Sequence, residues 1–75
     1  MIISADTLYK LRRVRRLSQA EMGKICGVTE SFINRIESGS RNVTDRVRHN
    51  VIRNMGLTPD KLAYYLDTYE LTAMN

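Results

Sequence analysis

Leu17-Ser-Gln-Ala-Glu-Met-Gly-Lys-Ile-Cys-Gly27 and Val28-Thr-Glu-Ser-Phe-Ile-Asn-Arg-Ile-Glu-Ser-Gly39 are adjoining segments with the same sequence grammar. In the first, Ser18 and Glu21 stand at N-cap and N3 spacing, the S-x-x-E capping box. Leu17 and Met22 flank that box at hydrophobic-staple spacing. Met22, Ile25 and Cys26 then form an i, i+3, i+4 apolar stripe. Gly27 ends the helix, because only glycine enters the left-handed region at no steric cost. The second segment repeats the device. Thr29 caps, Val28 and Ile33 have staple spacing, Ile33 and Ile36 point inward, and Gly39 closes. The pattern predicts two short helices over about residues 18–38, joined by a glycine turn.

Helical periodicity continues on both sides of this unit. The spacing predicts a first helix from about Ala5 to Arg15, with Leu8, Leu11 and Val14 on one face and Ser4 or Asp6 as cap. A fourth helix should start near Thr44, carry Val47, Val51 and Met55 on one side, and stop at Gly56. A fifth should start in Leu57-Thr-Pro-Asp-Lys-Leu62. There Thr58 caps, Pro59 suits the first helical position and Leu57 with Leu62 makes a third staple. It should run through Leu66 towards Tyr69. Four glycines, one proline and little β-branched alternation argue against strands. The expected fold is all-α: five short helices in a single domain over residues 1–75.

Seventy-five residues hide only about 60% of the unfolded chain's surface, so the core must be small. One cysteine excludes an internal disulfide, and no metal-ligand spacing is present. No stretch reaches the roughly 18 apolar residues of a membrane span, and Met-Ile-Ile-Ser-Ala-Asp lacks the basic start of a signal peptide. A cytoplasmic protein, of a bacterium or a phage-infected cell, is expected. Charge is unevenly placed. Residues 1–53 carry 11 Lys/Arg against 5 Asp/Glu, a net of +6, whereas residues 54–75 carry 1 Lys against 3 acids, a net of −2. The basic part holds the two-helix unit, which favours a polyanionic partner.

This two-helix spacing is that of a helix-turn-helix, which places its second helix in the DNA major groove. The chain resembles the Cro/repressor-type (Xre-like) helix-turn-helix family over roughly Leu8 to Leu66. The match is strongest in Leu17-Ser-Gln-Ala-Glu-Met, Gly27-Val-Thr and Ile33-Asn-Arg-Ile-Glu-Ser-Gly39. The resemblance implies a lambda-repressor-like domain that binds double-stranded DNA. It implies that Gln19 holds a backbone phosphate at the start of helix 2, where the helix N-terminus also favours an anion; the alternative is a simple first-turn residue. Gly23 falls on the family's small-residue position. Arg12 and Glu37 fall on a partly buried ion pair tying helix 1 to helix 3. Ser40, Arg41 and Asn42 follow helix 3, where the family contacts phosphate; Ser18, Arg15 and Arg16 join that set.

The second helix then carries the base readers: Thr29, Glu30, Ser31, Asn34 and Arg35. With Ile33 and Ile36 inward, an advance of about 100° per residue turns Ser31 and Arg35 outward, with Asn34 beside them. Arg35 can grip guanine O6 and N7, or hold a phosphate. Glu30 can accept from a cytosine amino group, or serve the helix dipole. Phe32 touches a thymine methyl or packs at the core edge. Two positions depart from the family pattern. Arg16 stands where a glycine commonly ends helix 1, and Arg48 stands where an apolar residue is common. Arg46, Arg48 and Arg53 either join the phosphate-binding surface or are solvated.

Cys26 reads as a small core residue, and His49 has no ligand or catalytic partner at useful spacing. No nucleophile–base constellation or phosphate-cradling glycine loop stands out, so neither an enzyme nor a cofactor is expected. Three tyrosines lie in Tyr64-Tyr65-Leu66-Asp67-Thr68-Tyr69, followed by Leu71. Tyrosine suits interfaces, so Tyr64, Tyr65, Tyr69 and Leu71 of the C-terminal helix and tail, residues 58–75, are expected to form a homodimer contact. The expected function is transcriptional repression from a palindromic operator. The alternatives are an antitoxin-type module that neutralises a toxin and autoregulates its operon, and an activator that contacts RNA polymerase.

Overall fold

In the computed structural model, which describes residues 1–73, the chain forms α1 (Ala5–Val14), α2 (Gln19–Cys26), α3 (Glu30–Glu37), α4 (Asp45–Asn54) and α5 (Pro59–Ala73). No strand occurs among the described residues. Ser4, rather than Asp6, caps α1, its Oγ accepting from the Thr7 N–H at 3.1 Å. At α2 both halves of the capping box form: Glu21 N–H donates to Ser18 Oγ at 3.0 Å and Ser18 N–H to Glu21 Oε1 at 2.8 Å. Those bonds hold the Glu21 carboxyl below its ordinary value of 4.5. Thr29 and Thr44 cap α3 and α4 through the N–H groups of Phe32 and Val47. Thr58 caps the start of α5 through Lys61 N–H.

The first four helices also end alike. The N–H of Leu17, Val28, Ser40 and Leu57 each reaches back five residues, to the carbonyls of Arg12, Gly23, Arg35 and Ile52, at 2.9–3.0 Å. This six-to-one bond needs a left-handed residue just before its donor. That residue is glycine at 27, 39 and 56, but at 16 it is arginine, with φ +54°. The non-glycine turn flagged by the sequence is therefore made, with left-handed backbone that costs an L-residue about 1–2 kcal/mol.

Each of the four helices sends one stripe inward. Leu8 and Leu11, Met22 and Cys26, Ile33 and Ile36, and Val47 and Val51 have no exposed surface. Ile3, Met55 and Leu57 complete the core. Ile3 was not among the expected core residues, since it precedes any periodic stripe. Val14 is half-buried but lies off the core, along a groove with Leu17 and Tyr69. Burial pushes the Cys26 thiol up to about 11, as a core role requires.

Pairwise packing sets α2 against α3 and α4, α3 against α1, and α5 against α1. Gly23 permits the closest approach. A Cβ there would lie 2.7 Å from the Val28 carbonyl oxygen. Two asparagines of α4 complete the end of α2: Asn50 Nδ2 donates to the Cys26 carbonyl at 2.9 Å and Asn54 Nδ2 to Ile25 at 2.7 Å. Arg48 does not disturb α4, because Val47 and Val51 supply the inward stripe. It is half-buried at the flank, 3.6 Å from Asp45.

α5 runs through Leu66 and Tyr69 as expected and continues to Ala73. None of its residues is fully buried. Leu62 and Tyr65 pack against the core from outside. Tyr69 meets Tyr9 edge-on at 6.3 Å between centroids, and Lys10 Nζ lies 5.4 Å from the Tyr69 ring centroid.

Candidate nucleic-acid interface

The inward positions of Ile33 and Ile36 leave the opposite face of α3 to solvent. Glu30, Ser31, Asn34 and Arg35 are all exposed. Together with Gln19 from the first turn of α2 they line one shallow recess. The start of one helix and the outer face of the next thus meet. The recess has donors and acceptors of every kind, with Arg35 as its cation and Glu30 as its anion.

Thr29 is exposed at the leading end of α3, but its hydroxyl oxygen is engaged as the cap. Ser18 is engaged likewise, by Glu21. Phe32 is half-buried and packs against the core, as its core-edge reading expects. Beyond α3, Ser40, Arg41 and Asn42 are exposed. Ser40 Oγ shares a hydrogen bond with Ser38 Oγ at 2.9 Å, and the Arg41 N–H donates to the Arg35 carbonyl. These contacts hold the loop against the end of α3.

The Arg12–Glu37 pair forms as expected, in two parallel bonds of 2.7 and 2.9 Å. Both side chains are nearly buried, at 12% and 10% exposed. A third bond from Arg12 reaches the Leu17 carbonyl at 2.9 Å, so one guanidinium ties α1, the entry to α2 and the end of α3. Gln19 joins this pair, its Nε2 donating to Glu37 Oε1 at 3.1 Å. Sequence reasoning missed that link, because it joins residues 18 apart that share no local pattern.

Arg15 and Arg16 are exposed at the end of α1, and Arg15 donates to the Tyr65 hydroxyl at 3.0 Å. Of the expected dimer residues, Tyr65 and Tyr69 thus have partners within the chain. Tyr64 and Leu71 remain 66% and 68% exposed. The i, i+7 spacing puts those two on one stripe of α5. Residues 74 and 75, the end of the expected dimerising tail, lie outside the described residues. Among the described residues no group of three His, Cys, Asp or Glu is placed to hold a metal. Among the described residues no helix is long and apolar enough to cross a membrane.

Capped α2, left-handed Gly27, capped α3 and an exposed polar face on α3 define a helix-turn-helix protein. A family model described as a helix-turn-helix domain matches residues 5–70. The chain belongs to that family, which agrees with the Cro/repressor-type resemblance and points to a DNA-binding regulator. No curated protein and no solved structure matches it.

Proposed function

We propose that this protein is a sequence-specific, double-stranded-DNA-binding transcriptional repressor that occupies a palindromic operator as a homodimer. The observation that carries the reading is the exposed face of α3. Glu30, Ser31, Asn34 and Arg35 stand free of the core, beside Gln19 at the start of α2. In a helix-turn-helix those side chains face base edges, and the start of α2 with the loop after α3 faces phosphates. Arg35 is the principal base reader. Thr29, Ser31 and Asn34 add hydrogen bonds, and Gln19, Ser18, Arg15, Arg16, Ser40, Arg41 and Asn42 position the backbone. Tyr64 and Leu71 carry the two-fold contact that sets half-sites about 34 Å apart. α5 is helical through Ala73, which favours a simple repressor over an antitoxin whose tail orders only on its target.

Selection from random duplex DNA tests the reading, followed by titrations at several salt concentrations. An inverted repeat with half-sites one turn apart is expected, with log affinity falling steeply against log salt. Arg35→Ala should cost on the order of 1–3 kcal/mol and relax one base pair, while Arg41→Ala should weaken all sequences alike and flatten the salt slope. Failure to enrich any duplex would remove the proposal.

A further inference from the structure

Four side chains from three helices form one directed chain of hydrogen bonds. Arg12 donates to both oxygens of Glu37. Gln19 Nε2 donates to Glu37 Oε1 at 3.1 Å, and Asn34 Nδ2 donates to Gln19 Oε1 at 3.4 Å. The direction is fixed from the buried end. A carboxylate paired with arginine offers only acceptors, so Gln19 turns its NH2 towards Glu37. The Gln19 carbonyl oxygen then faces Asn34, and Asn34 must present its own NH2 in turn. Neither amide can flip without losing a hydrogen bond. Asn34 is exposed, which leaves its Oδ1 and its second N–H for a ligand.

Taking α3 as the recognition helix, we propose that Glu37, acting through Gln19, sets the amide polarity of Asn34. Asn34 thereby selects adenine on the strand whose phosphate lies beside Gln19. The order of groups across the major groove gives the physical reason. From adenine's own backbone outwards they are the N7 acceptor, the N6 amino donor, then thymine O4 and the thymine methyl. With its NH2 on the Gln19 side and its Oδ1 towards the groove centre, Asn34 complements N7 and then N6. The reverse polarity would aim NH2 at the centre, where thymine O4 or guanine O6 accepts. A carboxylate that touches no base therefore decides which base is accepted. Asn34 makes the contact, and Gln19 and Glu37 are positioning residues.

The inference rests on the DNA-binding reading, and one experiment separates the two. Duplex selection is run with the wild type, Asn34→Ala, Gln19→Met and Gln19→Lys, each checked for folding by thermal melting. The wild type should enrich adenine at one position per half-site on the order of tenfold, the scale of a good bidentate contact. Asn34→Ala and Gln19→Met should both lose that enrichment and keep preference elsewhere. Gln19→Lys offers Asn34 donors only, so the amide turns over and the position shifts to thymine or guanine. If Gln19→Met weakens all duplexes alike and keeps the adenine, the inference is overturned and Gln19 holds phosphate alone. If the wild type selects no sequence, the DNA-binding reading fails, and base selection by Asn34 fails with it. The Asn34 side-chain NH2 resonances of the free protein then test the hydrogen-bond chain by itself. A shift on Gln19→Met upholds the fixed polarity, and no shift overturns it.

Discussion

Arg16→Gly should make this protein more stable, although it removes a side chain and adds none. Four helices end by the same six-to-one bond, and three of them place glycine in the left-handed position. Arg16 holds φ +54° there, where its Cβ crowds the neighbouring backbone. That conformation costs about 1–2 kcal/mol, and glycine removes the cost. Against this, glycine gives the unfolded chain more freedom, a loss of about 0.5–1 kcal/mol. With both ranges at their middle, about 1.5 less about 0.75, the net gain is about 0.75 kcal/mol. In a domain of this size each kcal/mol moves the midpoint by about 4–8 °C, so a rise of about 3–6 °C in Tm is expected. Arg16→Ala is the control. It removes the same charge from the cluster with Arg12, Arg13 and Arg15 but keeps the strained backbone, so its Tm should stay near the wild type. Circular dichroism melts of the three proteins read the effect directly. If Arg16→Gly melts no higher than Arg16→Ala, backbone strain at this turn is not a stability term and the reasoning is refuted. DNA affinity gives an independent axis, because both variants lose one cation and should weaken equally.

The remaining predictions concern the interior and the capping box of α2. Arg12→Ala leaves Glu37 nearly buried without its cation, and should cost about 2–4 kcal/mol in denaturant unfolding. The double variant Arg12→Met/Glu37→Leu should cost clearly less than the two single changes summed, which a double-mutant cycle reads. Gly23→Ala places a methyl 2.7 Å from the Val28 carbonyl oxygen and should cost about 1–3 kcal/mol, seen as a lower urea midpoint. For Cys26 the folded thiol is raised from 9.0 to about 11, so the unfolded chain loses its proton first. Stability should be level below pH 9 and fall as pH rises towards 11, and at pH 8 the thiol should react with disulfide reagents only as fast as the chain opens. Glu21 has the opposite sign. Its folded value lies below 4.5, so its contribution is complete above that pH and is lost as pH falls; Glu21→Gln should lower Tm at pH 7 and make little difference in strong acid.

Helix existence and helix starts were legible because they depend on neighbours three or four residues away. Ser18 with Glu21, Thr29 with Phe32 and Thr58 with Pro59 carry their geometry in the local chain. Helix ends were legible where glycine marks them, and Arg16 shows that the surrounding fold can impose the same turn on another residue. How far α5 continues past Tyr69 was not legible. Residues 70–73 are exposed and lack both a core stripe and a stop signal, so nothing local marked them as helical.

By itself the sequence determined five capped helices, an inward stripe on each of the first four, a helix-turn-helix spacing and a basic first part. These follow from periodicity, capping and charge, all read over short separations. Beyond the helix caps and the Arg12–Glu37 pair, only the tertiary structure decided what the polar side chains do. It gave Tyr65 to Arg15 and Tyr69 to Tyr9, sent Asn50 and Asn54 to finish α2, and linked Gln19 to both Glu37 and Asn34. Hydrogen bonds are short and directional, so partners 15 to 50 residues apart are chosen by how the helices dock rather than by any pattern along the chain.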